Sequence, residues 1–171
     1  ASKMPCGRFM MGCTSLTSIT GISSLLRNLS GDDNIAISEQ FLRDCSSLPS
    51  VDFGASADPI RNVTGIGPYF MENCASLTSI DLGPFANVTT IGAHFMRLCT
   101  SLTSIDVSCM SKVTAIGAYF LAQCTALTSI DLKAFSNVTK IGDSFLIYAT
   151  SIAEIDLGPL CNVTTIGDEF M

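Results

Sequence analysis

Five aspartates are the residues of this chain best spaced to act together. Asp52, Asp81, Asp106, Asp131 and Asp156 return at near-regular intervals, each two residues after a polar partner: Ser50, Ser79, Ser104, Ser129 and Glu154. Carboxylates stacked at strand spacing, about 4.8 Å, repel by about 1 kcal/mol in bulk water and by several times that near a protein surface. Two readings are open. Each Asp accepts hydrogen bonds from Ser or Thr hydroxyls or a turn amide, or the set forms an acidic stripe for a basic partner or a cation. A calcium site is the weaker form of the second reading. One carboxylate per interval supplies few of the six to eight oxygens that calcium takes.

The cysteines offer less. Cys13, Cys45, Cys74, Cys99 and Cys124 share one place in the pattern, and Ala149 takes that place in the next copy. Exchange with Ala implies a small, buried, apolar side chain. No C-x-x-C pair is present, so neither a zinc site nor any other metal or cofactor site is expected. Cys6, Cys109 and Cys161 fall outside that place. Cys109 and Cys161 lie two copies apart, roughly 10 Å at sheet spacing, too far for a bond without distortion. No disulfide is expected, and the compartment stays open.

Asn28, Asn62, Asn87, Asn137 and Asn162 each open an N-x-[ST] sequon. In a secreted eukaryotic protein they could carry glycans. The alternative is a turn residue repeated by the pattern, which Lys112 in the same position favours. His94 is the single histidine and reads as a solvated surface residue. No nucleophile motif, phosphate loop or metal-binding pair accompanies it, so catalysis is not expected.

What positions these residues is a repeat. Val63-Thr64-Gly65-Ile66-Gly67 returns at Val88, Val113, Val138 and Val163, every 25 residues. A fixed period in the twenties defines a solenoid, whose turns bury their apolar faces only against one another. Taken from the Leu of Leu-Thr-Ser-Ile, regular units begin at Leu77, Leu102, Leu127 and Ile152. The units at Leu16 and Leu48 are longer, 32 and 29 residues, with insertions at Ser23 to Ile35 and Ala55 to Arg61. One domain over 1–171 is expected, with irregular units in 1–76 and regular ones in 77–171. The repeat reaches both termini without a polar cap, which implies a longer array or ends that stack on something.

Within a unit, alternation around Ile80 and Leu82 predicts a short strand, with Ser79 and Asp81 facing out. Gly83-Pro84 ends it. Gly92 reads as a positive-φ turn residue. Ile91, Phe95 and Cys99 fall on one face of a short helix. Stacking makes each position a column. Phe9, Phe41, Phe70, Phe95, Phe120, Phe145 and Phe170 form one, read as an aromatic spine, beside Met10, Leu42, Met71, Met96, Leu121, Leu146 and Met171.

The motif L-x-x-I-D-L followed by V-T-x-I-G-x-x-F-x-x-C, with the Cys74 to Ile80 junction repeated, resembles the BspA-like (Treponema-type) leucine-rich repeat. The resemblance covers essentially the whole chain, closely from Asn62 onward; many repeats of that subclass are slightly shorter. It implies an α/β solenoid with a parallel sheet on one face and short helices or turns on the other. It also implies protein recognition or adhesion, and favours a cell-surface or extracellular location while leaving a cytoplasmic one open.

Composition fits. Of 171 residues, 47% are hydrophobic and only 14% charged, as stacked turns require. The net charge is −6 with nine scattered basic residues, which disfavours nucleic acid. The longest charge-free stretch, Phe9 to Leu26, holds seven Ser and Thr, so a membrane-inserting span is not expected, and because Phe9 to Leu16 matches Phe95 to Leu102 it reads as repeat and not as a leader. The leading expectation is a non-catalytic module that binds a protein, a basic one, through Ser79, Asp81, Ser104, Asp106, Ser129, Asp131 and Asp156 on a sheet face. The runner-up is a structural protein that self-associates end to end. An ice- or carbohydrate-binding surface on Thr78, Thr103 and Thr128 is interrupted by Pro49 and Ala153.

Overall fold

The computed structural model describes residues 2–3, 7–28, 35–54 and 60–171. Cys6 and most of the second insertion lie outside them. The strands are β1 (Ser2–Lys3), β2 (Ile35–Ile37), β3 (Val63–Ile66), β4 (Thr90–Ile91), β5 (Ala115–Ile116), β6 (Lys140–Ile141) and β7 (Thr165–Ile166). Among the described residues they form one sheet in sequence order, every neighbouring pair parallel. Thr90 pairs with Ala115, Ala115 with Lys140 and Lys140 with Thr165, so the register carries the repeat period into space.

The sheet is therefore made by the Val-Thr-x-Ile segment, not by Leu-x-x-Ile-Asp-Leu. Two features stop the expected strand. The Asp carboxylate captures the amide two residues on, as Gly83 N donates to Asp81 Oδ1 at 2.8 Å. The next residue then leaves extended geometry: Leu82 has φ −95° and ψ −2° and opens a 3-10 turn over Gly83–Phe85. The segment keeps only sparse contacts between turns, such as the Ser104–Ser129 bridge. The inward and outward assignments stand, with Leu82, Ile105, Val107, Ile130 and Leu132 buried and the Ser and Asp rows exposed.

The far side carries stacked turns in place of the expected helix. His94, Met96 and Leu98 have φ of 60°, 50° and 63°. Their amides bond across turns: His94 N to Ala118 O (2.7 Å), Met96 N to Phe70 O (2.9 Å) and Leu98 N to Ala122 O (2.9 Å). A left-handed non-glycine residue costs roughly 1–2 kcal/mol, and here the inter-turn bonds offset it in unit after unit. Gly92 does not have the expected positive φ. Glycine is needed because a Cβ would meet the Gly67 carbonyl carbon and Pro68 nitrogen at 2.6 Å. One α-helix among the described residues, α1 (Ile22–Asn28), occupies the start of the first insertion, whose positions 29–34 lie outside the described residues, and buries Ile22 and Leu26.

The aromatic spine is continuous. Successive rings from Phe9 to Phe170 stack with centroids 5.0 to 5.7 Å apart and planes within 10°, the offset geometry that the ring quadrupole favours. Phe53, Phe85 and Phe135 meet it from the 3-10 side, Phe53 and Phe85 edge to face at 4.9 Å.

Candidate interaction surfaces

The Asp row is built by one local device. Oδ1 of Asp52, Asp81, Asp106, Asp131 and Asp156 accepts the amide of Gly54, Gly83, Ser108, Lys133 and Gly158 at 2.7 to 2.9 Å. These are Asx turns, so each Asp positions its own corner while staying exposed. The Ser108 hydroxyl and amide hold the Asp106 carboxyl below the ordinary carboxylate range. The Lys133 amide and ammonium do the same for Asp131. Both are thus ionised at neutral pH. Ser79, Ser104 and Ser129 lie exposed beside the row.

The cysteine column is buried from Cys45 to Cys124, with Cys13 half-buried, and it does more than fill space. Cys45, Cys74, Cys99 and Cys124 donate S–H to the carbonyls of Met10, Leu42, Met71 and Met96 at 3.2 to 3.3 Å. Burial pushes the Cys74 and Cys124 thiols up to about 12, so neither is a thiolate ready for metal or redox chemistry. Cys13, Cys109 and Cys161 are also free thiols. Among the described residues no group of three or more His, Cys, Asp or Glu is placed to hold a metal ion. No described helix is long and apolar enough to cross a membrane.

Sequon side chains stitch turns together. Nδ2 of Asn137 and Asn162 donates to Ser111 O (2.9 Å) and Ser136 O (2.8 Å), and Lys112 Nζ donates to Asn87 Oδ1 at 2.7 Å. The nitrogen a glycan would occupy is in use at Asn137 and Asn162. Asn28 is exposed at the end of α1, and Asn62 is half-buried.

His94 departs most from expectation. Its side chain is only 19% exposed, because its ring is held between Tyr69 and Tyr119 at centroid distances of 4.5 and 4.6 Å. Its Nδ1 lies 3.1 Å from Oε1 of Glu72, a carboxylate just 4% exposed. Arg97 Nη1 reaches the same oxygen at 3.2 Å and Arg43 Nε reaches Oε2 at 2.8 Å. Arg43 covers the Tyr69 ring at 4.8 Å and Arg97 the Tyr119 ring at 5.4 Å. The cluster was within reach of the sequence: Tyr69, His94 and Tyr119 stand 25 residues apart, each just before a spine Phe, and Arg43, Glu72 and Arg97 share the column two places after that Phe. The column two places after Phe varies from turn to turn, so no repeat marks it.

A parallel-sheet solenoid of leucine-rich turns with exposed polar rows is the architecture of an interaction module. The family model for the BspA-type leucine-rich repeat region matches six copies over residues 36–171, and the chain belongs to that family. Among solved structures, it is similar to the crystal structure of a leucine-rich repeat protein from Bacteroides ovatus ATCC 8483. That similarity has 17% identity and a TM-score of 0.41, and covers 92% of this chain and 52% of that one. This chain thus spans about half the length of that protein. No curated protein matches it.

Proposed function

We propose that the chain is a non-catalytic protein-binding module that docks a basic partner on the row Ser79, Asp81, Ser104, Asp106, Ser129, Asp131 and Asp156. The observation that carries this reading is the repetition of one exposed Asx-turn carboxylate on consecutive turns. The turn consumes one oxygen of each Asp and fixes its direction, so little side-chain entropy is lost when a partner docks; at Asp131 the partner would displace the exposed Lys133 ammonium, 3.1 Å from Oδ2. The test replaces Asp81, Asp106 and Asp131 together by Asn. Asn keeps the Oδ1 acceptor and removes the charge, so the corners survive. Capture of a basic partner, or of a lysine homopeptide by calorimetry, is expected to fall at least about tenfold. Undiminished binding by the folded variant would remove the row from the function.

A further inference from the structure

We propose that the face of stacked turns carries a second interaction surface, built on Arg43, Tyr69, His94, Arg97 and Tyr119 over buried Glu72, and that it takes a carboxylate-bearing, acidic segment of a protein partner. It lies apart from the Asp row and stands independently of it.

The fold does not need this cluster. The position of Glu72 is held by Ala122 two turns later, and the backbone bond is the same: Glu72 N to Tyr69 O and Ala122 N to Tyr119 O, both 3.3 Å. Ile147 holds it in the turn after that, again with the local bond at 3.3 Å. A buried ion-paired carboxylate is no more stabilising than an apolar side chain of similar size, and often less so. Glu72 nevertheless draws Arg43, His94 and Arg97 onto one point, and the rings lock the guanidinium planes. The result is a rigid group of Tyr and Arg, the residue types that dominate binding hot spots.

The outward chemistry selects the partner. Glu72 is 4% exposed, while Arg43 and Arg97 keep 30% and 29% of their side-chain surface in solvent. Glu72 is therefore beneath, and the rim carries two guanidinium groups against one carboxylate, Asp44, which is 32% exposed beside Arg43. Arg43 Nε lies 2.8 Å from Glu72 Oε2 and 3.5 Å from Asp44 Oδ2 as ion-pair contacts without hydrogen-bond alignment, and the terminal fork of its guanidinium is the part that matches a carboxylate in two-point geometry. Arg97 is engaged with Glu72 and with Gln123 Oε1 at 2.8 and 3.0 Å and acts as a fixed wall. The faces of Tyr69, His94 and Tyr119 are already stacked on one another and on the two arginines. The gaps between Tyr69, His94 and Tyr119 are closed by this stacking, so no base can insert between the rings. With a net charge of −6, the molecule as a whole repels acidic peptides, so any binding of one must be local.

The test titrates a glutamate homopeptide, with a lysine homopeptide as control, into isotope-labelled protein at low salt. The readout is the His94 ring and Arg43 Nε–H resonances. The glutamate peptide is expected to shift these signals and the lysine peptide to leave them in place. Arg43→Gln should weaken the glutamate complex about tenfold, the worth of one strong charge-assisted contact. Tyr69→Phe with Tyr119→Phe keeps the stack, removes both hydroxyls and should weaken it less, which gives a reading even if Arg43→Gln fails to fold. Absent shifts, equal shifts with both peptides, or unchanged affinity in the folded variants would overturn the proposal. Tighter binding of a single-stranded oligonucleotide to the same resonances would overturn it in favour of nucleic acid. The Asp81/Asp106/Asp131→Asn variant should bind the glutamate peptide at least as well as the wild type, so this surface and the Asp row fail or stand separately.

Discussion

At the residue scale the spine and the glycine column set the stakes. Phe95 is fully buried, with Phe70 and Phe120 at 5.4 and 5.3 Å. Its truncation to Ala removes contacts on both sides at once, and a rigid stack cannot collapse around the void. Phe95→Ala should cost about 3–5 kcal/mol, read as a lowered urea midpoint. Cys99→Ala should cost far less, about 1 kcal/mol for a small cavity and one weak S–H bond, since Ala149 already fills that column. Gly92→Ala belongs with the severe changes although it adds one methyl group. The new Cβ would press on backbone at 2.6 Å, which no rotamer relieves, so a loss above about 2 kcal/mol is expected in the same measurement. A Gly92→Ala protein of wild-type midpoint would show that the turns can separate locally. The sequence marked Gly92 as special but assigned it a positive φ. Column contacts between backbones leave no trace in one unit, and only stacked copies show that Cβ is what the site excludes.

At the scale of elements, the period and the apolar columns were legible, and the placement of regular structure was not. Leu-x-x-Ile-Asp-Leu alternates as a strand should, yet Asp81 closes an Asx turn and Leu82 bends away. The apolar spacing of Ile91, Phe95 and Cys99 suits a helix equally well as a stack of turns, because both return every fourth side chain to the core. Alternating positive φ at His94, Met96 and Leu98 is set by bonds to the neighbouring turns, which no single unit encodes. The Asx corners give this scale its own prediction. The Asp106 carboxyl titrates below its ordinary range because Ser108 bonds the charged form. The folded state therefore binds fewer protons than the unfolded chain. The stabilisation is present above the ordinary Asp value, about 3.9, and is lost as pH falls through the lower folded value. Asp131 acts with the same sign through Lys133. Denaturation midpoints followed downward from about pH 5 should decline, and Asp106→Asn, which keeps the acceptor, should flatten part of that decline. The effect is small for so exposed a group. A slope unchanged in the variant would assign the acid sensitivity to other carboxylates.

At the scale of the whole molecule, the two charged surfaces differ in how far their groups are exposed to solvent, and that difference makes them distinguishable in solution. The Asp row presents one ionised group per turn to water, fully within reach of salt. Its attraction for a basic partner acts mainly before contact, by steering the encounter. The turn-face cluster is different. Its charges are held at short range around a carboxylate only 4% exposed, where screening penetrates poorly. Raising salt from about 50 to about 500 mM shortens the Debye length from roughly 14 Å to roughly 4 Å. Association of a basic partner with the Asp row should then slow by an order of magnitude or more while its dissociation rate changes little. The Asp81/Asp106/Asp131→Asn variant should start at the slow rate and show a nearly flat salt dependence. Stopped-flow or surface-based kinetics on both proteins would read this directly. If wild type and variant share the same salt slope, the steering field does not come from the Asp row, and the basic partner is meeting some other part of the solenoid.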